Sequence, residues 1–131
     1  VGARSYYGRD WLLYHHLRGL IALTRRDTAT AVRELSQARW GVAGWTETVA
    51  LLARIRLAHG DAAGAITVLR DAYHGPLDAM GRYVTRTELD ALMAQAFARG
   101  GSADSAAVYA ARVRAAWQDA DPEVRRVWPG P

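Results

Sequence analysis

Apolar residues recur along the chain at the spacing of one helical face, in a succession of short segments. The first predicted helix covers residues 11–26, with Asp10 as its N-terminal cap. Asp27 caps a second predicted helix over residues 28–39. The first helix has a broad apolar face made of Leu12, Leu13, Leu17, Leu20, Ile21 and Leu23. The stripe of the second is narrower and consists of Ala31, Val32, Leu35 and Ala38.

Four further helices are predicted by the same pattern. The third begins near Thr46 and ends at Gly60, where a glycine suits the C-terminal cap. The fourth is capped by Asp61 and reaches about residue 73. The fifth is expected over residues 76–99, with a bend near Gly81, and the sixth over residues 103–118.

The pattern repeats with a period of about 34 residues, a length found in several helical-repeat families. Asp27, Ala31, Val32, Leu35 and Ala38 recur as Asp61, Ala65, Ile66, Leu69 and Ala72. A third unit is offset, because the best match to Gly60 is Gly101, which lies beyond the position that the period predicts. The excess is close to two helical turns, so we expect the first helix of that unit to be lengthened at its start.

A period of this length is typical of stacked helical hairpins. The fold class predicted is therefore an all-α helical-hairpin solenoid with six main helices and short terminal segments. The expected divisions are an N-terminal extension over residues 1–10, a repeat domain over residues 11–119 and a tail over residues 120–131. The three repeats cover about residues 11–45, 46–75 and 76–119.

Composition excludes several kinds of chemistry. Cysteine is absent, and every one of the 17 basic residues is an arginine. Thiolate nucleophiles, cysteine-bound zinc, Schiff-base lysines and the P-loop lysine are therefore excluded. Neither serine near the last turn has a histidine or other base within local reach. We expect no enzyme activity and no cofactor.

The charge pattern argues against direct contact with nucleic acid. The net charge is +4, but the arginines are scattered and interleaved with acids instead of forming a basic stripe. No apolar run is long enough to span a membrane, so no membrane insertion is expected. The chain opens without methionine, which favours a processed product or an excised domain from which a targeting segment could be missing. The cytoplasm is the favoured compartment.

Two short motifs resemble metal sites without their required spacing. His15 and His16 are adjacent, so they point about 100° apart on a helix and cannot face one ion. We expect one to pack between helices and the other to be solvated. The acids around Asp121 lack the central glycine and the distant bidentate glutamate of a calcium loop. No metal is expected.

The repeat resembles the tetratricopeptide family, whose members are built from helix-turn-helix units of the same period. The residues that carry the resemblance are Gly19, Asp27, Ala31 and Ala38 in the first repeat, Leu52, Ala53, Gly60, Asp61, Ala65 and Ala72 in the second, and Ala94, Phe97, Gly101 and Ala106 in the third. It covers roughly residues 11–118. The family's early tryptophan is replaced by His15, Val49 and Asp90, so the units are degenerate.

The resemblance implies a concave groove lined by the first helix of each hairpin. Matched to this sequence, the groove presents His16, Leu20, Leu23, Glu47, Leu51, Arg54, Leu57, Glu88, Leu92, Gln95 and Arg99. Arg54 and Arg99 are expected to pair with acids of a partner. Trp40, Trp45 and Trp128 fall in predicted loops or the tail, where exposed aromatic residues are candidates for partner contact. Trp11 and Trp117 are expected to cover the ends of the solenoid.

A second resemblance links the chain to the C-terminal repeat segments of large bacterial regulators. It rests on residues 82–89, 104–106 and 117–122. Three functional interpretations remain. The first is a non-enzymatic module that binds a protein or peptide segment through its groove or its tryptophan-containing loops. The second is a structural or accessory subunit of a larger assembly, membrane-associated or not. The third is a regulatory or sensor domain of a bacterial transcription regulator or kinase.

Overall fold

A computed structural model describes residues 9–39, 47–73 and 84–123 of the 131-residue chain. Over these ranges the protein is all-α, with six helices and no strand. The helices are α1 (Arg9–Thr24), α2 (Thr28–Gln37), α3 (Glu47–Ala58), α4 (Ala62–Tyr73), α5 (Arg86–Arg99) and α6 (Ala103–Ala116). The predicted all-α class is confirmed.

The most extensive contacts join helices that are consecutive in the chain. α1 packs on α2, α3 on α4 and α5 on α6, and each pair contacts the next through α2–α3, α4–α5 and α3–α5. Contacts across α1 and α2 show an antiparallel arrangement, since Ala22 meets Asp27 at one end and His15 meets Glu34 further away. Tyr73, the last residue of α4, reaches α5 through Asp90.

The three turns inside these pairs are built in the same way. The amides of Asp27, Asp61 and Ser102 donate to carbonyls five residues earlier, each at 2.9 Å. The residue before each of them, Arg26, Gly60 or Gly101, has a left-handed backbone, with φ of 59°, 77° and 78°. This is the Schellman arrangement that ends a helix and satisfies its last carbonyls. The same backbone turn therefore recurs in each repeat, both at the regular period and at the longer distance between Gly60 and Gly101.

Aspartates cap the second helix of the first two pairs, as the sequence predicts. The Asp27 carboxylate accepts a hydrogen bond from the Thr30 amide at 3.0 Å, and Asp61 accepts one from the Gly64 amide at 2.8 Å. These amide bonds are the first cause of the lowered pKa of both carboxyl groups. Ser102 occupies the third position without a side-chain capping bond.

A continuous apolar core runs through α2, α3, α4 and α5. Its largest fully buried side chains include Leu35, Leu52, Leu69, Leu89 and Met93. α1 and α2 approach closely at Gly19, where an added Cβ would lie 2.6 Å from Cγ of Leu35. Gly19 is therefore the small residue that the close crossing of these helices requires, as the family resemblance implies.

Two helix starts differ from the sequence prediction. α1 begins at Arg9, so Asp10 lies within the helix and not before it. The prediction of one long helix over residues 76–99 is wrong, because Val84 and Thr85 are not helical and α5 begins at Arg86. Thr85 and Glu88 form a reciprocal capping box that fixes this start. The expected bend at Gly81 lies outside the described residues.

Candidate protein-interaction surface

α3 and α5 are connected by a chain of ion pairs. Nη1 of Arg54 lies 3.1 Å from Oε1 of Glu47 on the same helix, and Nη2 lies 3.9 Å from Oε1 of Glu88 on α5. All three side chains keep about a third or more of their surface exposed. The sequence therefore identified three residues that the fold brings together, and Arg54 already has two carboxylate partners within the chain.

Arg99 makes a second connection between these helices. Its Nη1 donates a hydrogen bond of 2.7 Å to the backbone carbonyl of Leu57, near the end of α3. Gln95 is exposed and lies two helical turns after Glu88, on the same side of α5. We call the surface formed by Glu47, Leu51, Arg54, Glu88, Gln95 and Arg99 the α3–α5 face. Its two acids balance its two arginines, and Leu51 gives it one half-buried apolar side chain.

Three residues of the expected groove are buried in the protein. Leu57 and Leu92 belong to the core, and His16 lies between α1 and α3, where its Nδ1 is 2.8 Å from Oγ1 of Thr48. These side chains present little surface of their own to a partner. Trp40, Trp45 and Trp128 lie outside the described residues.

His15 is buried as well, so the expectation that one of the two histidines is solvated is wrong. Its Nδ1 lies 2.7 Å from Oε2 of Glu34 on α2. Because a carboxylate only accepts hydrogen bonds, Nδ1 is the nitrogen that carries the proton in this pair. The rings of Trp11 and Tyr14 pack edge-on against His15, with centroids 4.2 Å and 5.1 Å away.

Glu34 is a buried carboxylate surrounded by donors. The hydrogen bond from His15 is the first cause of its lowered pKa, and the positive charges of Arg18 and Arg33 lower the pKa further. Nε of Arg18 lies 3.3 Å from Oε1 of Glu34. This network joins α1 to α2. It serves packing, since both side chains are buried and aromatic rings cover the histidine.

A polar cluster at the other end of the molecule joins α4, α5 and α6. The hydroxyl of Tyr73 donates to Oδ1 of Asp90 at 2.8 Å and accepts from Nη1 of Arg112 at 2.6 Å. The guanidinium of Arg86 lies 3.4 Å from the centroid of the Tyr73 ring and also donates to the Tyr73 carbonyl. Burial, followed by the hydrogen bond to Asp90, raises the pKa of the Tyr73 hydroxyl.

Sequence reasoning missed both polar networks, although each had a visible signal. Glu34 lies three residues after Ala31 and four before Ala38, so it occupies the buried stripe of α2. An acid on such a stripe requires a buried donor. The equivalent of His15 in the third repeat is Asp90, which is also buried and paired. A polar residue at this position of the repeat, His15 in the first unit and Asp90 in the third, was the second available signal.

The described residues contain no group of three or more histidine or acidic side chains placed to hold a metal ion. Among the helices found in the described ranges, none combines the length and apolar character needed to cross a bilayer. Comparison of the chain with models of known protein families, with curated proteins and with solved structures found no match.

Proposed function

We propose that this chain is a tetratricopeptide-like solenoid that acts as a non-enzymatic protein-interaction module. The turns at Arg26, Gly60 and Gly101 support the solenoid, because one turn geometry recurs inside all three helix pairs and marks each pair as a copy of the same hairpin unit. Sequential contacts between the helix pairs support it further.

The observation that carries the binding proposal is the ion-pair chain from Glu47 through Arg54 to Glu88. It lies on the first helices of two consecutive pairs, which are the helices that line the groove in the family this chain resembles. An exposed guanidinium with two carboxylate neighbours can exchange one of them for an acid of a bound segment at small cost, since exposed ion pairs are worth about 0–1 kcal/mol. The half-buried Leu51 offers an apolar contact beside it.

The proposed partner is therefore an extended or helical protein segment with an acidic residue next to an apolar one. The acid pairs with Arg54 or with the second terminal nitrogen of Arg99, and the apolar side chain packs on Leu51. Specificity comes from the spacing of the two arginines on α3 and α5, and Arg99 is positioned by its hydrogen bond to the Leu57 carbonyl.

Partner capture by variants tests this proposal. Arg54→Glu places a third acid beside Glu47 and Glu88, so it should abolish capture of a partner that wild-type protein retains, with helicity unchanged by circular dichroism. Arg26→Glu makes the same change of charge in the exposed α1–α2 turn and should capture as wild type does. Equal capture by both variants would contradict binding at the α3–α5 face.

A further inference from the structure

α1 presents an exposed apolar face that the rest of the described protein leaves uncovered. Trp11, Tyr14, Leu17 and Ile21 are 44%, 50%, 56% and 50% exposed. They are spaced by three or four residues and so lie on one side of the helix. A contiguous patch of large apolar side chains of this kind is typical of a protein interface.

The repeat register indicates what this face fits. Tyr14 and Ile21 correspond to Thr48 and Ile55 of α3 and to Leu89 and Ala96 of α5. In those two helices the equivalent positions are buried or half-buried. α3 and α5 each have a helix pair before them in the described ranges, and α1 has none there. The exposed face of α1 is therefore the surface that a preceding helix pair would cover.

The contact between α4 and α5 gives the geometry in detail. Arg86 of α5 lies over the ring of Tyr73, and a Cβ added at Gly100 would lie 3.7 Å from the Cβ of Ala62. In the repeat register, the equivalents of Arg86 and Gly100 in the first pair are Trp11 and Arg25, and both are exposed.

α6 offers the matching surface at the other end of the molecule. In the same register, the equivalents of Tyr73 and Ala62 in α6 are Arg114 and Ala103, and both are exposed. Between them lie Ala107, which is exposed, and Ala110, which is half-buried. The stripe is small and apolar and ends in a cation, so a large aromatic face fits against it.

The contact between copies would repeat the cation–aromatic pair of Tyr73 and Arg86, but here α6 supplies the cation and α1 supplies the aromatic ring. In the register that α4 adopts on α5, Arg114 of one copy meets Trp11 of the next, as Tyr73 meets Arg86 within the chain. Ala103 then meets Arg25, as Ala62 meets Gly100 within the chain, so Asp104 of one copy lies near the opposite charge of Arg25 of the next. We propose that copies of this chain stack head to tail, with α6 of one copy packed on the exposed face of α1 of the next.

This contact joins two different surfaces, so it is heterologous and each copy keeps one free surface for the next, which extends the assembly into a ring or an open filament. Sedimentation velocity should show a weight-average mass that increases with concentration and continues beyond the dimer. Loss of the cation in Arg114→Gln should weaken the association about fivefold, since such pairs contribute on the order of 1 kcal/mol. A monomeric mass up to about 1 mM protein would overturn the proposal, since binding weaker than that is negligible.

Two blocking variants separate this mode from a symmetric dimer. Tyr14→Glu disables the α1 face and Ala107→Glu disables the α6 stripe, and both positions are exposed, so wild-type helicity is expected. Each variant alone should be monomeric, whereas an equimolar mixture should form a dimer and nothing larger. Ile21→Glu replaces Tyr14→Glu if the latter loses helicity. Self-association of Ala107→Glu alone, or a mixture that stays monomeric, would overturn head-to-tail stacking.

Discussion

Arg26 and Gly60 occupy equivalent positions in successive repeats and both adopt a left-handed backbone, with φ of 59° and 77°. The amide of the residue after each bonds to the carbonyl five positions earlier at 2.9 Å. The first turn therefore has the same geometry as the second, but it has an arginine where glycine would adopt the left-handed backbone at lowest cost. A side chain at positive φ is strained by about 1–2 kcal/mol relative to the right-handed helix.

Replacing Arg26 by glycine should stabilise the protein. Relief of the backbone strain exceeds the extra entropy of glycine in the unfolded chain, so the expected gain is about 0.5–1 kcal/mol. The reciprocal change, Gly60→Ala, should cost a similar amount, since an added Cβ there meets no atom within 4 Å and only the backbone changes. Urea unfolding measures both variants, and a destabilised Arg26→Gly would show that the two turns are not equivalent.

Gly19→Ala should destabilise the α1–α2 crossing. The new Cβ would lie 2.6 Å from Cγ and 2.7 Å from Cδ2 of Leu35, which is fully buried and cannot move aside freely. Overpacking costs about 1–3 kcal/mol, which exceeds the gain of about 1 kcal/mol in helix propensity. Urea unfolding of the variant and the wild type measures the difference.

A double-mutant cycle with Leu35→Ala identifies the cause of that loss. If the clash is responsible, Gly19→Ala becomes neutral or stabilising once Leu35 is shortened, and the two changes are strongly non-additive. Equal effects of Gly19→Ala in both backgrounds would place the cost elsewhere.

Stability at acid pH should depend on Glu34. Its pKa is lowered in the folded protein, first by the hydrogen bond from His15 and then by Arg18. The ionised carboxylate therefore stabilises the fold at pH values above its unfolded pKa, and this contribution is lost as the pH falls through the lower folded pKa. Glu34→Gln removes the titrating group, so the difference in unfolding free energy between wild type and variant should narrow as the pH falls. A difference that stays constant from neutral to acid pH would contradict the role assigned to Glu34.

The sequence predicted the helices best where local signals agree. Asp27 and Asp61 combine a capping side chain with a preceding turn and a following apolar stripe, and the helices they cap begin as expected. The prediction failed at the start of α5, because an insertion of about two turns keeps the helical phase whether or not the inserted residues are helical. The capping box at Thr85 and Glu88 was present in the sequence and is the stronger local signal.

The candidate surface was partly predictable. The family resemblance predicted Arg54 and Glu88 on one face, and in the structure Nη2 of Arg54 lies 3.9 Å from Oε1 of Glu88. Their ion pair depends on the distance between α3 and α5 and on the side-chain conformations, and the spacing of residues along the chain determines neither. The burial of His16 and the exposure of Leu17 depend on which helix pairs flank α1, and this is a tertiary property that helical periodicity cannot express.

Site-specific photocrosslinking from Gln95 is the most direct test of the proposed function. Gln95 is exposed and lies on the α3–α5 face, so a photoreactive residue there should be tolerated. We expect a crosslink from this position to the protein that wild type captures. No crosslink is expected from the exposed Ser36 on α2. A crosslink from Ser36 and none from Gln95 would contradict binding at the α3–α5 face.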